Sequence, residues 1–162
     1  MYIKRKLSES LESYSSLRFG CTLKSKKRFF HQATVGIGGN LGDVKRRFEH
    51  LFFALKREKR VELIKTSLIL KNPPFGYLAQ DDFFNSIMII DTSMQAKEFL
   101  RFLQRVEKKF GRKRSFANAP RTLDLDIIFF DKQVLNTPTL TLPHPEWYKR
   151  ESVLIPLGGL KR

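Results

Sequence analysis

Ala33-Thr34-Val35-Gly36-Ile37-Gly38-Gly39-Asn40-Leu41-Gly42-Asp43-Val44-Lys45-Arg46-Arg47-Phe48-Glu49-His50-Leu51-Phe52-Phe53-Ala54-Leu55 is where regular structure begins in the chain. Ala33–Ile37 reads as a short strand. Gly38–Gly42 reads as a turn, with glycine where positive φ or a close backbone approach is needed. It matches neither the dinucleotide fingerprint nor the phosphate loop with its lysine, so a structural turn is the better reading. Asp43 can cap a helix, because Val44, Phe48, Leu51, Phe52 and Leu55 recur at helical spacing.

Downstream, Val61–Leu70 alternates and carries β-branched residues, which predicts a strand. Asn72-Pro73-Pro74-Phe75-Gly76 is a loop enforced by proline and glycine. Phe84–Ile90 reads as another strand. Ala96–Phe110 reads as a second helix with Phe99, Leu100, Leu103 and Val106 on one face. Gly111–Pro120 is polar, basic and irregular. Leu123–Phe130 is a strand, and Leu140–Leu142 a short one before Pro143. The order βαββαβ predicts an α+β fold of the ferredoxin-like kind: an antiparallel sheet with helices on one face, here with a C-terminal appendage.

At 162 residues the chain has the size of one domain. Residues 33–162 are assigned to that domain. Residues 1–32 are read as a basic N-terminal extension of uncertain order, rich in Ser, with Lys4, Arg5, Lys6, Arg18, Lys24, Lys26, Lys27 and Arg28 against Glu9 and Glu12. Leu7, Leu11 and Leu17 give it a weak helical stripe. A hydrophobic content of 41% can build a core, so composition excludes disorder. No apolar run reaches the roughly 20 residues of a membrane span, and no secretory signal is seen. A lone Cys21 fits a reducing compartment, and the expected location is cytoplasmic. The formal net charge of +15 points to an anionic partner: nucleic acid, a membrane surface or a phosphorylated substrate.

The densest chemistry lies in Arg121-Thr122-Leu123-Asp124-Leu125-Asp126. On a strand, Asp124 and Asp126 share one face while Leu123, Leu125 and Ile127 take the other. Their Cα atoms would stand roughly 7 Å apart, close enough to flank two magnesium ions. Two acids on one strand face repel unless a cation lies between them, and Asp is disfavoured in strands. Arg112, Lys113, Arg114 and Arg121 bring fixed positive charge beside the acids, as phosphoryl transfer requires. Gln80, Asp82, Phe83 and Asn85 follow the Pro73–Gly76 loop, and an amide next to an aromatic ring suits a flat heterocycle. Leu142-Pro143-His144-Pro145 with Arg150 offers a phosphate contact.

Together these segments resemble the 6-hydroxymethyl-7,8-dihydropterin pyrophosphokinase family. The resemblance rests on Gly38-Gly39-Asn40-Leu41-Gly42, on Pro73–Asn85, on Arg121–Asp126 and on Pro143-His144, in that order. It runs from about Ala33 to Leu157. It implies transfer of pyrophosphate from ATP to the hydroxymethyl group of the pterin, releasing AMP, in folate biosynthesis. It further implies that Asp124 and Asp126 hold two Mg2+ ions, and that Arg112 and Arg121 steer the phosphates. Gln104, Glu107, Ile127, Thr141, His144 and Arg150 match nucleotide contacts; Asn72, Pro73, Phe75, Gly76, Phe83 and Asn85 match the pterin pocket. The sequence departs from the family pattern in two places. Asn118-Ala119-Pro120 precede Arg121, in a mobile loop where an aromatic residue is common. Ser152 stands where a Phe usually stacks on the pterin, leaving that ring face open or covered by another side chain such as Trp147. The expected partners are ATP and a small pterin, with no nucleic acid and no membrane, and the expected state is a monomer. An RNA-binding module shares the element order, but Ala33–Ile37 and Phe84–Ile90 lack its Gly-Phe-rich strand motif.

Overall fold

Residues 1–25 and 29–160 are described by a computed structural model; the charge run Lys26, Lys27 and Arg28 lies outside them. Its strands are β1 (Ile3–Lys6), β2 (Glu12–Ser15), β3 (Cys21–Thr22), β4 (His31–Gly39), β5 (Val61–Thr66), β6 (Ile69–Asn72), β7 (Phe83–Thr92), β8 (Asp124–Phe130), β9 (Leu135–Asn136) and β10 (Thr141–Leu142). The helices are α1 (Val44–Arg57), α2 (Ala96–Lys109) and α3 (Glu151–Gly158).

The apolar repeat that announces α1 becomes its buried face, Val44, Phe48, Leu51, Phe52 and Leu55, and the Asp43 side chain caps it by accepting from Arg46 N at 3.1 Å. In α2 the buried set is Phe99, Phe102, Leu103 and Val106; Leu100 is only partly buried. Both stripes pack on one face of the sheet, with Val35, Ile37, Leu63, Met88, Ile90, Leu125 and Ile127 in the same core. Full burial of such a side chain contributes roughly 1.5–3 kcal/mol.

The main sheet runs β1-β2-β6-β7-β4-β8, with β5 on β7 and β3 on β5, and every pairing in it is antiparallel. The segment read as one strand, Val61–Leu70, is broken at Ser67 into β5 and β6. Ser67 turns inward: its N–H donates to Ile87 O at 2.8 Å and its hydroxyl meets that of Ser86 at 2.9 Å. Both halves stay on β7, and each gains its own outer neighbour from the N-terminal segment, β3 on β5 and β2 on β6. The helical stripe read at Leu7, Leu11 and Leu17 is not formed. Glu12–Ser15 instead pairs with β6, and Phe19 and Tyr14 enter the core.

The helices do not all lie on one face. α3 packs on the opposite side of the sheet, where Val153 joins Ile87 and Ile128, with Trp147, Phe129 and Leu157 around them. A bulge in the β4–β8 pairing between Thr34 and Val35 leaves Ile128 without a Cα partner. Ile128 and Phe129 consequently both pack on the α3 side, while Phe130 returns to the main core.

Candidate active site

Asp124 and Asp126 lie on the α3 side of β8, since Leu125 and Ile127 between and after them enter the opposite core. Antiparallel register sets them in two rows across three strands. Asn85 of β7, Gly38 of β4 and Asp124 of β8 form one row; Ile87, Gly36 and Asp126 form the next. The central residue of each row is glycine, so the floor between the amide and the carboxylates carries no side chain. A Cβ on Gly38 would stand 2.7 Å from Asn85 Oδ1, and one on Gly36 would stand 3.4 Å from Ile128. Gly38 and Gly39 thus belong to β4 and not to the turn expected there; positive φ enters at Gly42, at 66°.

Over this floor opens a cleft of about 850 Å3. It brings together ten of the residues singled out in the sequence: Asn72, Pro73, Phe75, Phe83, Asn85, Arg121, Asp124, Asp126, His144 and Arg150. Gly76, Gln104, Glu107, Arg112, Ile127 and Thr141 are not among the residues lining it. Ser10, Leu11, Asn118, Lys149, Ser152 and Val153 do line it. Of these, Asn118 and Ser152 are the departures from the family pattern noted in the sequence, and Lys149 had a legible signal, its charge beside Arg150; nothing marked the hairpin residues Ser10 and Leu11 as part of a site.

Two guanidinium groups converge on Asp124. Arg121 Nη1 lies 2.8 Å from Oδ2 and Arg112 Nη2 lies 3.4 Å from Oδ1. Both arginines are largely shielded, with side-chain exposures of 19% and 11%. Arg112 Nε is buried with no acceptor among the described residues, an unmet donor beside the acids. Arg121 also stacks over the Phe83 ring, 5.3 Å from its centroid, and so connects the acids to the apolar end of the cleft.

The Asp126 carboxyl is pushed up to about 7, first by burial and then by the charges of Asp124 and Glu107, against opposing pulls from Arg150 and Arg121. An adjacent pair of carboxylates, one of them buried against its charge, fits a hard divalent cation. Magnesium uses one or two carboxylates and completes its shell with water and phosphate oxygens. Among the described residues no group of three or more His, Cys, Asp or Glu forms an all-protein metal cage. His144 lies below its usual range, through burial and then the Arg150 charge, and its Nδ1 accepts from Glu146 N at 3.2 Å. A neutral ring at that place can hydrogen-bond a phosphate without adding charge.

At the other end Asn85 Nδ2 donates to Asn72 Oδ1 at 2.7 Å, and Asn72 Nδ2 donates to Pro73 O at 2.9 Å. This chain of bonds fixes the orientation of both amides at the edge of the cleft. Asn40 joins the two loops that border the cleft. Its Nδ2 donates to Gln80 Oε1 at 2.9 Å and to Asp81 O at 3.0 Å, while its Oδ1 accepts from Arg121 N at 2.9 Å. Gln80 continues the connection to Asn118 O at 2.9 Å, and Tyr77 meets Phe116 edge to face at 5.4 Å.

Glu107 is buried at the end of α2, accepts from Leu125 N at 2.8 Å and is raised by burial. It fastens the helix to the strand that carries the acids. Gln104 is exposed on the same helix. Trp147 packs edge-on against Phe129 at 4.9 Å and is not among the residues lining the cleft, whereas Ser152 is.

The sequence profile of the 7,8-dihydro-6-hydroxymethylpterin-pyrophosphokinase family matches residues 34–162. A 2-amino-4-hydroxy-6-hydroxymethyldihydropteridine pyrophosphokinase of Helicobacter pylori is 38% identical over 149 residues, which cover 91% of this chain and 91% of the relative. The protein of that name in Campylobacter jejuni is 41% identical over 132 residues, covering 82% of this chain and 84% of its own. That in Bacillus subtilis is 36% identical over 128 residues, covering 79% and 77%.

Proposed function

Because the chain belongs to the 7,8-dihydro-6-hydroxymethylpterin-pyrophosphokinase family, we infer that it transfers pyrophosphate from ATP to 6-hydroxymethyl-7,8-dihydropterin, giving the pterin diphosphate and AMP in folate biosynthesis. The observation that carries this reading is one cleft in which Asp124, Asp126 and Arg121 face the Asn72–Asn85 amides and Phe83 across a glycine floor. Asn72, Pro73, Phe75, Gly76, Phe83 and Asn85 hold the pterin. His144 and Arg150 hold the nucleotide from within the cleft; Gln104, Glu107 and the backbone near Ile127 and Thr141, outside the cleft lining, are the further nucleotide contacts that the family resemblance implies. Asp124 and Asp126 hold two Mg2+ ions. The bound ions supply charge neutralisation on the triphosphate and a template for the attacking hydroxyl.

The chain's own residues align the reactants. With the pterin fixed at the amide end, its hydroxymethyl oxygen faces the carboxylates and attacks the β-phosphorus. The new O–P bond forms as the bond from the β-phosphorus to the α,β-bridging oxygen breaks; AMP leaves with that oxygen, and the hydroxyl proton is given up to solvent. Arg112 and Arg121 exchange their ion pairs with Asp124 for the phosphate oxygens, and the unmet Nε of Arg112 gains an acceptor. The sheet arrangement β8-β4-β7-β5/β6 with α1 and α2 on one face supports a ferredoxin-like core over residues 33–162; the state proposed for the enzyme is a cytoplasmic monomer. The test is AMP release from magnesium, ATP and hydroxymethyldihydropterin. Asp126→Ala is expected to lower turnover by about a hundredfold or more; undiminished turnover would overturn the assignment.

A further inference from the structure

The N-terminal hairpin is joined to the main sheet and reaches the cleft. β1 and β2 pair from Ile3↔Ser15 to Lys6↔Glu12, so residues 7–11 form its tip. Three hydrogen bonds close that tip: Leu7 N and Ser8 N both donate to Leu11 O, at 2.9 and 3.2 Å, and Leu11 N donates to Ser8 Oγ at 3.2 Å. The hairpin is fixed to the sheet through β2–β6, in the register Glu12↔Lys71 and Ser13↔Leu70. One further step in that register carries Leu11 to the level of Asn72, the amide bonded to Asn85. Tyr14 secures the same strand from the core side. Its ring lies 6.0 Å from that of Phe84, between Phe83 and Asn85, and Lys45 sits over it at 4.2 Å.

The hairpin tip therefore has a set position relative to the β7 residues that face the pterin. Ser10 and Leu11 line the cleft with Pro73, Pro74 and Phe75, and Ser152 offers only a short hydroxyl side chain there. Leu11 is half-buried before any ligand is added, in a tip whose other residues are exposed.

We propose that Leu11 is a binding residue for the heterocycle, its isobutyl group forming an apolar wall of the pterin site, and that Ser10 limits the size of ring substituents accepted there. The N-terminal segment is then a specificity element of the pyrophosphokinase reaction. The proposal rests on the functional reading above.

Steady-state rates with the two substrates varied separately test it on the full chain. Turnover of hydroxymethyldihydropterin by the unaltered protein comes first, and its absence would overturn the functional reading together with this proposal. Given turnover, Leu11→Asp is expected to raise the KM for the pterin roughly tenfold, with the KM for ATP and the Tm of the ligand-free protein unchanged. Ser10→Trp, at an exposed tip position whose side chain is not part of the closing bonds, is expected to raise the pterin KM and leave the ATP KM alone. A pterin KM unchanged in both variants, or pterin and ATP constants that rise together, overturns the role of the hairpin while leaving the pyrophosphokinase reading in place. Should Leu11→Asp fail to fold, Ser10→Trp decides alone by the same split.

Discussion

Asp126 is held out of its ordinary protonation range by its surroundings, and the sign of that shift separates two effects. Its folded-state value of about 7 lies above that of an exposed aspartate, roughly 3.9. Protonation therefore favours the folded, ligand-free chain: this contribution to stability is fully present below about pH 4 and is lost as the pH rises through about 7. Asp126→Asn should accordingly raise the ligand-free Tm at pH 8, by more than it does at pH 5, in scanning calorimetry. The proposed metal binding would run the other way, because a divalent cation needs the ionised carboxyl. Binding of magnesium–ATP should tighten between pH 6 and pH 8 and release a proton, seen as a heat that differs between two buffers of unlike ionisation enthalpy. Asn40 presents the opposite case, a neutral buried side chain at 3% exposure whose amide joins three partners. Asn40→Ala should destabilise the chain by about 2–3 kcal/mol in urea unfolding, through orphaned partners, and lower turnover by loosening Arg121. The placement of the aspartates was legible because strand alternation is a local rule. The bonding of Asn40 was not, because its partners lie 40 to 81 residues away.

At the scale of elements, glycines show which contacts are backbone against backbone. A Cβ on Gly39 would stand 2.6 Å from Thr122 O, at the point where the loop enters β8, and no flexible side-chain end is there to yield. Gly39→Ala should therefore cost about 2 kcal/mol or more in urea unfolding and impair turnover, since it shifts the entry to Asp124. Gly158, at the end of α3, would meet nothing within 4 Å, and Gly158→Ala should be neutral or stabilising by up to about 1 kcal/mol. The same contrast explains which elements could be read in advance. α1 and α2 carry apolar stripes of four turns, and their burial follows the period. β5 and β6 read as one strand because no glycine or proline interrupts Val61–Leu70 and apolar residues resume at Leu68; the break arises from Ser67 bonding to β7, a long-range event. α3 stayed hidden in the appendage because Pro156 lies inside it and its eight residues are too few for a clear period. β1–β3 were obscured by charge: all four residues of β1 are exposed, so its strand character comes from pairing with β2 and not from burial.

For the whole molecule, a net charge of +15 has to be set against a candidate cleft lined by acids as well as bases. Within the cleft the signs nearly balance, since Arg121, Lys149 and Arg150 face Asp124, Asp126, Glu146 and Glu151. The excess positive charge is therefore distributed over the rest of the chain, where it acts through solvent and over distance. Such charge steers an anion toward the molecule but contributes little once the anion is seated. The Debye length shortens from about 10 Å at 0.1 M salt to about 3 Å at 1 M, so steering fades while contacts inside the cleft persist. Association of magnesium–ATP should thus slow several-fold between about 0.05 and 0.5 M potassium chloride, with its dissociation rate nearly constant. The uncharged pterin should associate at a rate that salt barely changes. Stopped-flow measurement with a fluorescent ATP analogue, at fixed free magnesium, reads both rates directly. A salt effect confined to dissociation would place the relevant charge inside the cleft. Equal sensitivity for ATP and pterin would show that the basic surface has no part in capturing the nucleotide.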